Sequence, residues 1–593
     1  MNFSKTLLTG SMVSLSLLFA EILPLTSASA LTFRSADGSG NNLSNPTWGA
    51  AKTPLLRLTP STYQDGYNSP RSLASDGIAP LPNPRDISNT VVRQDNRSLP
   101  SPLHLSDWLF QWGQVIDHDL DLNEPAKGTP ASNIPINPID IATGLPDPLY
   151  SPVGIPFTRN EALAGTGTGI GNPRQQINLL TSYIDGSQVY GSSQAVADEL
   201  RTFSGGKLKS QILNGEELLP LKTQANVPAA NPLGLPDDRL FAGGDPRPNE
   251  QIGLMAVHTL LLREHNRLAT ELKTRLDGGD SALIQALTGT GLDEDEFLYQ
   301  SARKVLGAQI QVITYQEFLP LLIGTDGLSP YLGYNPTVNA GISNEFANAA
   351  FRFGHTTLSP SLLRTDENHQ ILDSILLADA FFNTQDVIER GVDSLLIGLA
   401  SQKSQAFDPF IVDSVRNFLF TAPSGGSDLA AVNIARGREV GIGTLNQVRS
   451  ALGLTPYRSF AEINPDPEII ARLSAIYASV EDIDLWVGGL AEMPVSTNAL
   501  LGETFRYIIA DQFTRLRDGD RFFYLHDLND LQLLDPNIAE TTLSQLITRN
   551  STINTMQANA FYYTSVPEPS SLLALLGLGL LGVVQVILAK GLA

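Results

Sequence analysis

The stretch that decides the fold is Phe110-Gln111-Trp112-Gly113-Gln114-Val115-Ile116-Asp117-His118-Asp119-Leu120-Asp121, in which one His, three acids and two Gln interrupt an apolar run. The run predicts a helix, in which Gln114 and His118, four residues apart, share one face. Asp117 and Asp119 then lie about 100° to either side of His118. One turn can therefore face a pocket and two further targets, and a solvated acidic helix edge is the competing interpretation.

Composition narrows the classes of protein that this chain can be. Its 593 residues are 42% hydrophobic and 17% charged, which favours a large folded core over disorder. The net charge of -22 disfavours nucleic acid as a partner, because nucleic acid needs a basic surface. Cysteine is absent, which excludes disulfides, zinc–thiolate sites and Cys nucleophiles. A metal or redox site must therefore draw on seven histidines and on oxygen ligands.

The first 30 residues have the layout of a secretory signal peptide. Lys5 precedes an apolar run from Leu7 to about Leu23, and Ala28-Ser29-Ala30 supplies a small-residue cleavage site. Cleavage after Ala30 is the prediction, and an uncleaved membrane anchor is the alternative.

The C-terminus carries a second targeting pattern. Val566-Pro567-Glu568-Pro569-Ser570-Ser571 precedes an apolar run from Leu572 to Ala589, which is long enough to span a bilayer. Residues 566–593 resemble the PEP-CTERM sorting tag of bacterial surface proteins, which implies export machinery and a membrane sorting protease as partners. The tag normally ends in several basic residues, and only Lys590 stands here. A plain transmembrane anchor is the alternative.

Between the two ends, apolar periodicity predicts one mainly α domain over residues 31–535, with long irregular connections and little β, and a polar linker over 536–565. The clearest helix runs from Leu254 to Arg275. Further helical patterns cover residues 296–323, 371–400, 408–420, 428–452, 466–478 and 498–515.

Two histidines of the clearest helix, His258 and His265, lie seven residues apart on one face. That spacing is about 10 Å along the helix axis, too far for one metal ion. Both are therefore predicted to be structural.

Four separated segments resemble one family in its order and spacing. They are Gln111–Asp119, Thr181–Gly191, Arg247–Leu268 and Phe351–Thr356, with a weaker similarity at Asn433–Arg438. The family is that of the animal-type haem peroxidases in the peroxidase–cyclooxygenase superfamily, to which myeloperoxidase belongs. The resemblance covers roughly residues 33–525 and implies a single haem peroxidase domain.

The resemblance implies a role for each residue around a haem b. His355 is implied as the axial iron ligand, held by Asn433 as acceptor of its other N–H. His118 is implied as the distal base that moves the peroxide proton, and Arg247 as the donor that stabilises the departing oxygen. Gln114 is implied to face the same cavity, and Arg436 to pair with a haem propionate.

Two carboxylates stand where family members form ester bonds to haem methyl groups, namely Asp117 and Glu250. Ester attachment is therefore predicted, with a free solvated acid as the alternative. Myeloperoxidase has a third link through a methionine after that Glu, and position 251 here is Gln.

A calcium site is implied beside the distal helix. Asp119 would join Thr181, Tyr183 (by its backbone carbonyl), Asp185 and Ser187 around Ca²⁺, which takes six to eight oxygens.

The function implied is an exported, extracellular or cell-surface peroxidase that reduces hydrogen peroxide and oxidises small donors such as halides, thiocyanate or phenols. Fatty-acid dioxygenases of the same superfamily are an alternative, but they carry a radical-forming Tyr where this chain has Arg352, between Phe351 and Phe353. An inactive surface or matrix protein with this fold is a second alternative. Neither the reducing substrate nor the oligomeric state follows from the sequence.

Overall fold

The computed structural model describes residues 31–95, 97–128, 131–420 and 426–564. The predicted signal peptide and sorting tail lie outside these residues. Within the part that is described, no helix is both long and apolar enough to cross a membrane.

Helices dominate the molecule, as predicted. In chain order they are α1 (Pro84–Ile87), α2 (Trp108–Leu120), α3 (Ser187–Tyr190), α4 (Gln194–Leu200), α5 (Ile252–Asp277), α6 (Ser281–Thr290), α7 (Glu294–Ile313), α8 (Leu319–Ile323), α9 (Asn344–Asn348), α10 (Leu377–Ala380), α11 (Thr384–Arg390), α12 (Asp393–Ala400), α13 (Asp413–Arg416), α14 (Leu429–Glu439), α15 (Leu445–Ala451), α16 (Phe460–Ile463), α17 (Pro467–Ile476), α18 (Leu485–Ala491), α19 (Glu503–Asp518), α20 (Leu528–Leu534) and α21 (Leu543–Arg549). Short 3₁₀ turns cover Asp237–Arg239, Ala350–Thr356, Val480–Asp482 and Ile538–Glu540, and π-helical turns cover Ser88–Val92 and Thr314–Phe318.

The strands are few and short, which confirms the mainly α class. They form three antiparallel pairs: β1 (Thr53–Pro54) with β2 (Ile177–Asn178), β3 (Gln211–Leu213) with β4 (Glu216–Leu218), and β5 (Ser361–Thr365) with β6 (Ile371–Leu376). In the longest pair Ser361 lies opposite Leu376, and a bulge interrupts the register at Arg364 and Thr365.

Helix α2 lies in the middle of the core rather than at its edge. Trp108, Trp112 and Ile116 are fully buried, and the helix packs against α3, α5, α12 and the 3₁₀ turn that holds residue 355. Because apolar contacts surround α2, its polar residues face internal targets and not bulk solvent. The solvated-edge interpretation of this stretch is therefore wrong.

Helix α5 begins where its sequence provides a cap. The Gln251 side chain accepts a hydrogen bond of 2.6 Å from the Gly253 N–H and donates to Gln111 Oε1. A Cβ at Gly253 would lie 2.8 Å from Gln111 Oε1, so glycine permits the two helices to meet closely here. This contact brings Glu250, just before α5, to the polar side of α2.

The region 371–400 is not the helix that its apolar spacing predicts. Residues 371–376 form β6, and only the later part is helical, as α10, α11 and α12. The hairpin forms because Asp366 makes a tight turn, accepting hydrogen bonds from the N–H groups of Asn368 and Gln370. The predicted helix at 408–420 is likewise reduced to α13.

Residues 536–564 pack onto the core instead of forming the predicted polar linker. Ile538, Leu543, Leu546 and Ile547 are fully buried in this segment. The Phe561 ring lies edge-on to Trp112, with centroids 6.4 Å apart. A few large apolar residues anchor this segment to the core. The segment is polar in overall composition, so composition alone did not indicate them.

Candidate active site

A cavity on the polar side of α2 collects the predicted distal residues. Gln114 Nε2 donates to Glu250 Oε2 at 2.9 Å, and His118 Nε2 lies 3.8 Å from the same oxygen. Arg247 Nη1 lies 3.6 Å from Asp117 Oδ2. Burial is the main influence on the pKa of Asp117 and of Glu250, yet their side chains are 28% and 24% exposed, so we infer that they line a recess within the protein, here called the cavity.

Arg247 is held in place by a residue that sequence reasoning missed. Asp245 accepts from Arg247 Nε and Nη2, both at 2.8 Å, and also from the Arg247 backbone N–H. Arg247 Nη2 further donates to the Asp121 carbonyl at 2.9 Å. A bidentate carboxylate fixes the plane of a guanidinium, so Asp245 decides where Arg247 points. An acid two residues before the predicted catalytic Arg is a signal that could have identified it.

The imidazole of His118 is uncharged in this site. Burial lowers its pKa well below the ordinary value, and the positive charge of Arg247 lowers it further. A neutral imidazole offers a lone pair, which a proton acceptor needs.

The pKa values of the carboxyl groups that line the cavity are raised, not lowered. Burial raises the pKa of Glu250 to about 7, against the opposing effect of Arg247. Burial also raises the pKa of Asp117, again opposed first by Arg247. Glu250 can therefore be neutral or ionised near neutral pH.

On the proximal side the structure brings His355 and Asn433 into contact, as expected. The Asn433 amide nitrogen lies 2.8 Å from His355 Nδ1, while Asn433 Oδ1 accepts from Arg352 Nη1 at 2.9 Å. An iron ligand needs the opposite polarity, with Nδ1–H donating to the amide oxygen. Rotation of the amide by 180° provides it and requires Arg352 to turn away. Arg352 is therefore a second residue of the site that sequence reasoning missed.

The residues present fit a haem. Burial and then Arg352 lower the pKa of His355 to about 3, so the imidazole is neutral and able to bind iron. A Cβ added at the neighbouring Gly354 would meet no atom within 4 Å, so open space lies beside His355. Arg352 is near enough to Asp117 for that carboxylate to affect its pKa, which places the proximal and distal groups around one space. Arg436 is engaged by Glu439 and the Thr158 carbonyl.

Behind α2 the predicted calcium residues lie close together. Asp119 accepts from the Ser187 N–H at 2.5 Å, and Thr181 Oγ1 donates to Asp185 Oδ1 at 3.2 Å. The Tyr183 hydroxyl donates to the Trp48 carbonyl, which leaves its backbone carbonyl as the atom predicted to bind the ion.

The carboxylates of Asp119, on α2, and Asp185, in the 181–191 loop, repel each other. Burial and then the charge of Asp185 raise the pKa of Asp119 to about 8. Asp185 Oδ2 has no hydrogen-bond partner among the described residues, and Arg303 lies 3.7 Å from it. Buried oxygens in excess of positive charge fit a hard cation. The described residues contain no group of three or more His, Asp or Glu side chains placed to hold one ion, so hydroxyl and carbonyl oxygens must supply the rest.

Comparison with known proteins decides the family. The animal haem peroxidase family model matches residues 33–561. The chain belongs to the animal haem peroxidase family. A second model, the PEP-CTERM protein-sorting motif, matches residues 565–586.

Several curated proteins resemble this haem peroxidase along its length. It is 34% identical to peroxinectin A of Dictyostelium discoideum over 93% of this chain and 99% of that protein. It is 34% identical to rat thyroid peroxidase over 90% of this chain, which corresponds to 61% of that longer protein. The family match and these relatives identify the chain as a peroxidase.

Solved structures agree with the fold. Peroxidase A from Dictyostelium discoideum superposes with a TM-score of 0.78 at 34% identity, covering 90% of this chain and all of that one. A rice fatty acid alpha-dioxygenase superposes with a TM-score of 0.71 at 21% identity, covering 92% and 89% of the two chains, and shows a shared fold alone.

Proposed function

We propose that this haem peroxidase is exported, reduces hydrogen peroxide, and takes the electrons from small donors such as halides, thiocyanate or phenols. The observation that carries the proposal is the grouping of Gln114, His118, Arg247 and Glu250 around one internal cavity. Bound haem supplies the iron at which the O–O bond breaks and the oxidising equivalents are held.

His118 acts as the proton carrier on the distal side. Its Nε2 faces the cavity beside Glu250, and its lowered pKa leaves the lone pair free. It takes the proton from one peroxide oxygen and returns it to the other, so that water leaves. Arg247, fixed by Asp245, donates to the oxygen that becomes negative.

On the proximal side His355 holds the iron and Asn433 orients the ring. Their contact of 2.8 Å supports this pairing. Arg436, a half-buried residue whose guanidinium lies 4.5 Å from the centre of the Phe157 ring, is the candidate partner of a propionate.

Asp117 and Glu250 would form ester links to methyl groups of the haem rim. Their support is their shared position on the cavity and their raised pKa values, since a neutral carboxyl enters an apolar haem pocket more readily than an ionised one. In each link a carboxylate oxygen would bond to a methyl carbon, which would lose one proton and two electrons to hydrogen peroxide, the oxidant of the proposed reaction, and the peroxide would leave as water.

Calcium binds behind the distal helix. Asp119, Thr181, Asp185 and Ser187, with the carbonyl of Tyr183, supply the oxygens, and two facing buried carboxylates are the supporting observation. The ion holds α2 against the 181–191 loop and so positions His118.

The dioxygenase alternative is the weaker one on the residues of the proximal turn. Phe351 and Phe353 are buried against each other, with ring centroids 6.0 Å apart, and neither can form a tyrosyl radical. A chain that has lost activity is disfavoured because the distal residues still converge on one cavity.

The decisive experiment is peroxide-driven oxidation of bromide, iodide, thiocyanate and a phenol by the full-length protein from haem-supplied cells. We expect a Soret band and turnover of at least one donor. His118→Ala should keep the haem and lose about 10²- to 10⁴-fold in the rate of peroxide cleavage. His526→Ala, a histidine packed against Tyr334 away from this site, is the matched control. A wild-type protein without haem would refute the proposal.

Export is part of the same proposal and rests on the PEP-CTERM match at residues 565–586. In a host with the sorting protease, mature protein at the cell surface should lack this segment. A cell-surface protein that retains it would favour a permanent anchor.

A further inference from the structure

Four buried polar atoms behind the distal site lack hydrogen-bond partners within the described residues. They are Nδ1 of His118, Nε2 of His258 and both amide atoms of Gln188. The three residues are 3%, 1% and 0% exposed. Buried polar atoms in native proteins are nearly always paired with protein or with ordered water, so several orphans in one place call for a ligand.

His258 is a neighbour of the His118 ring, and Gln188 is connected to the same region through Asp245. The rings of His118 and His258 lie with centroids 6.5 Å apart, at an angle of 51°. Asp245 joins them to Gln188, because its N–H donates to the Gln188 carbonyl at 3.1 Å. Asp245 also affects the pKa of His258, which shows that the two are near each other.

A cavity opens between His258 and Gln188. It is small, with a volume of about 10 Å³, which is room for about one water molecule, and Leu208, Leu219 and Leu262 contribute apolar walls. An apolar cavity stays dry, but one that contains two to four unpaired polar atoms holds ordered water. Here three such atoms belong to Gln188 and His258.

Direct protein contacts do not satisfy Nδ1 of His118. Its nearest carboxylate oxygen, Asp245 Oδ1, lies 3.8 Å away, beyond hydrogen-bond length. That oxygen already accepts from two nitrogens of Arg247. We expect the missing acceptor between His118 and His258, since Nε2 of His258 also has no partner among the described residues.

We propose that His258 and Gln188 hold buried water behind the distal site, and that this water accepts the hydrogen bond of the His118 Nδ1–H. The inference rests on the proposed peroxidase function. It makes His258 a positioning residue, and it replaces the prediction that His258 is structural only.

The water decides which nitrogen of His118 carries the proton. A neutral imidazole has one N–H, and a buried N–H without an acceptor is unfavourable. With water at Nδ1 the proton stays there, and Nε2 presents a lone pair to peroxide. Without it the proton moves to Nε2, where Glu250 lies 3.8 Å away, and the base is blocked.

The test compares His258→Leu with His258→Gln in the full-length haem-loaded protein. Leucine removes the water partner, whereas glutamine keeps an amide that can hold it. We expect His258→Leu to cleave peroxide about 10- to 100-fold more slowly, with haem content and donor KM unchanged, and His258→Gln to recover most of the rate. Thr259→Val, which removes a neighbouring buried hydroxyl, should leave the rate unchanged.

A crystal structure gives a second measurement that does not depend on activity. Density for water between Gln188 and residue 258 should be present in the wild type and in His258→Gln and absent in His258→Leu. Gln188→Leu tests the same water if His258→Leu does not fold. A dry wild-type cavity, or a His258→Leu variant as fast as wild type, would overturn the inference. A wild-type protein without peroxidase activity but with the water would refute the proposed function alone.

Discussion

Asp117 and Glu250 stand on the same cavity but have different neighbours. Glu250 accepts a hydrogen bond from Gln114, whereas Asp117 faces Arg247 at 3.6 Å. Both have a raised pKa because of burial. The two residues therefore present reactive carboxyl groups to whatever fills the cavity.

We expect the paired substitution Asp117→Asn and Glu250→Gln to leave the haem extractable by acidified acetone. Amides cannot form the ester bonds, so the haem is then held by coordination and packing alone. Mass spectrometry of peptides that contain residues 117 and 250 checks the links directly. Glu271→Gln, at an exposed site on α5, serves as control. Free extraction from wild-type protein after turnover with peroxide would rule out the esters.

Some residues of the site can be predicted from the sequence and others cannot. The resemblance to the family predicts His118, Arg247 and His355, because each lies in a recognisable motif. Asp245 and Arg352 orient Arg247 and Asn433 through direct hydrogen bonds. Neither contact belongs to a motif, and the one between Arg352 and Asn433 joins residues far apart in the chain. The polarity of the Asn433 amide depends on Arg352, and no sequence pattern encodes that competition.

At the scale of elements, long helices with regular apolar spacing were predicted well. The predicted helix at 254–275 corresponds to α5, and the one at 296–323 to α7, a π-helical turn and α8 in continuous succession. Failures occurred where tertiary contacts outweigh local pattern, as in the β5–β6 hairpin and the 536–564 segment. In both, a turn or a few buried side chains decide the outcome.

The calcium loop yields an element-scale prediction. If calcium binds as proposed, Asp185→Asn should abolish its binding and lower the melting temperature, because the amide removes an anionic ligand and with it the stabilisation that a bound ion gives the folded state. Metal analysis of purified protein and thermal unfolding with and without chelator provide the measurements. Asp198→Asn, on α4 and away from the loop, is the control. A chelator that removes no calcium and leaves the melting temperature unchanged would contradict the prediction.

Residues 536–564 yield a second prediction at the scale of elements. Phe561→Ala should destabilise the protein by about 3–5 kcal/mol, because it removes a fully buried ring packed against Trp112 on the distal helix. Denaturant unfolding measures the loss. Tyr562→Ala, at a neighbour that is 44% exposed, should have a small effect. Equal stability of the two variants would show that the segment is an independent linker.

At the scale of the whole molecule, buried ion pairs join segments that are distant in sequence. Asp484 accepts hydrogen bonds from Arg71, in the irregular N-terminal region before α2, and from Arg438 on α14, at 2.6 and 2.7 Å. Burial alone would raise the pKa of Asp484, but the two guanidiniums lower it to about 2. The N-terminal irregular region is therefore bound to the helical core through charge as well as apolar contact.

Asp484→Asn should cost about 3–5 kcal/mol at neutral pH, since it leaves two buried guanidiniums without their partner. An acid with a lowered folded-state pKa stabilises the fold above its unfolded pKa, about 3.9, and loses that contribution as the pH falls towards 2. The difference in unfolding free energy between wild type and variant should thus be constant from pH 7 to 5 and narrow below pH 4. Denaturant titrations across this range measure it.

The matched control is the exposed ion pair of Asp373 with Arg390. Asp373→Asn should change stability little, because solvent screens an exposed pair. A gap between wild type and Asp484→Asn that stays constant down to pH 3 would show that the ionised form of Asp484 is not what matters.

Gly244 lies between two loops that perform different tasks. A Cβ at Gly244 would come within 2.5 Å of the Ser187 carbonyl oxygen and the Tyr190 nitrogen. The segment that leads to Arg247 therefore contacts the backbone of the 181–191 loop directly. With no side chain between them, we expect the two loops to move together. If calcium binds as proposed, its depletion should then displace the Arg247 guanidinium and the His118 imidazole together. Inactivation would begin as a loss of peroxide affinity while the haem is still in place, and release of the haem would follow later.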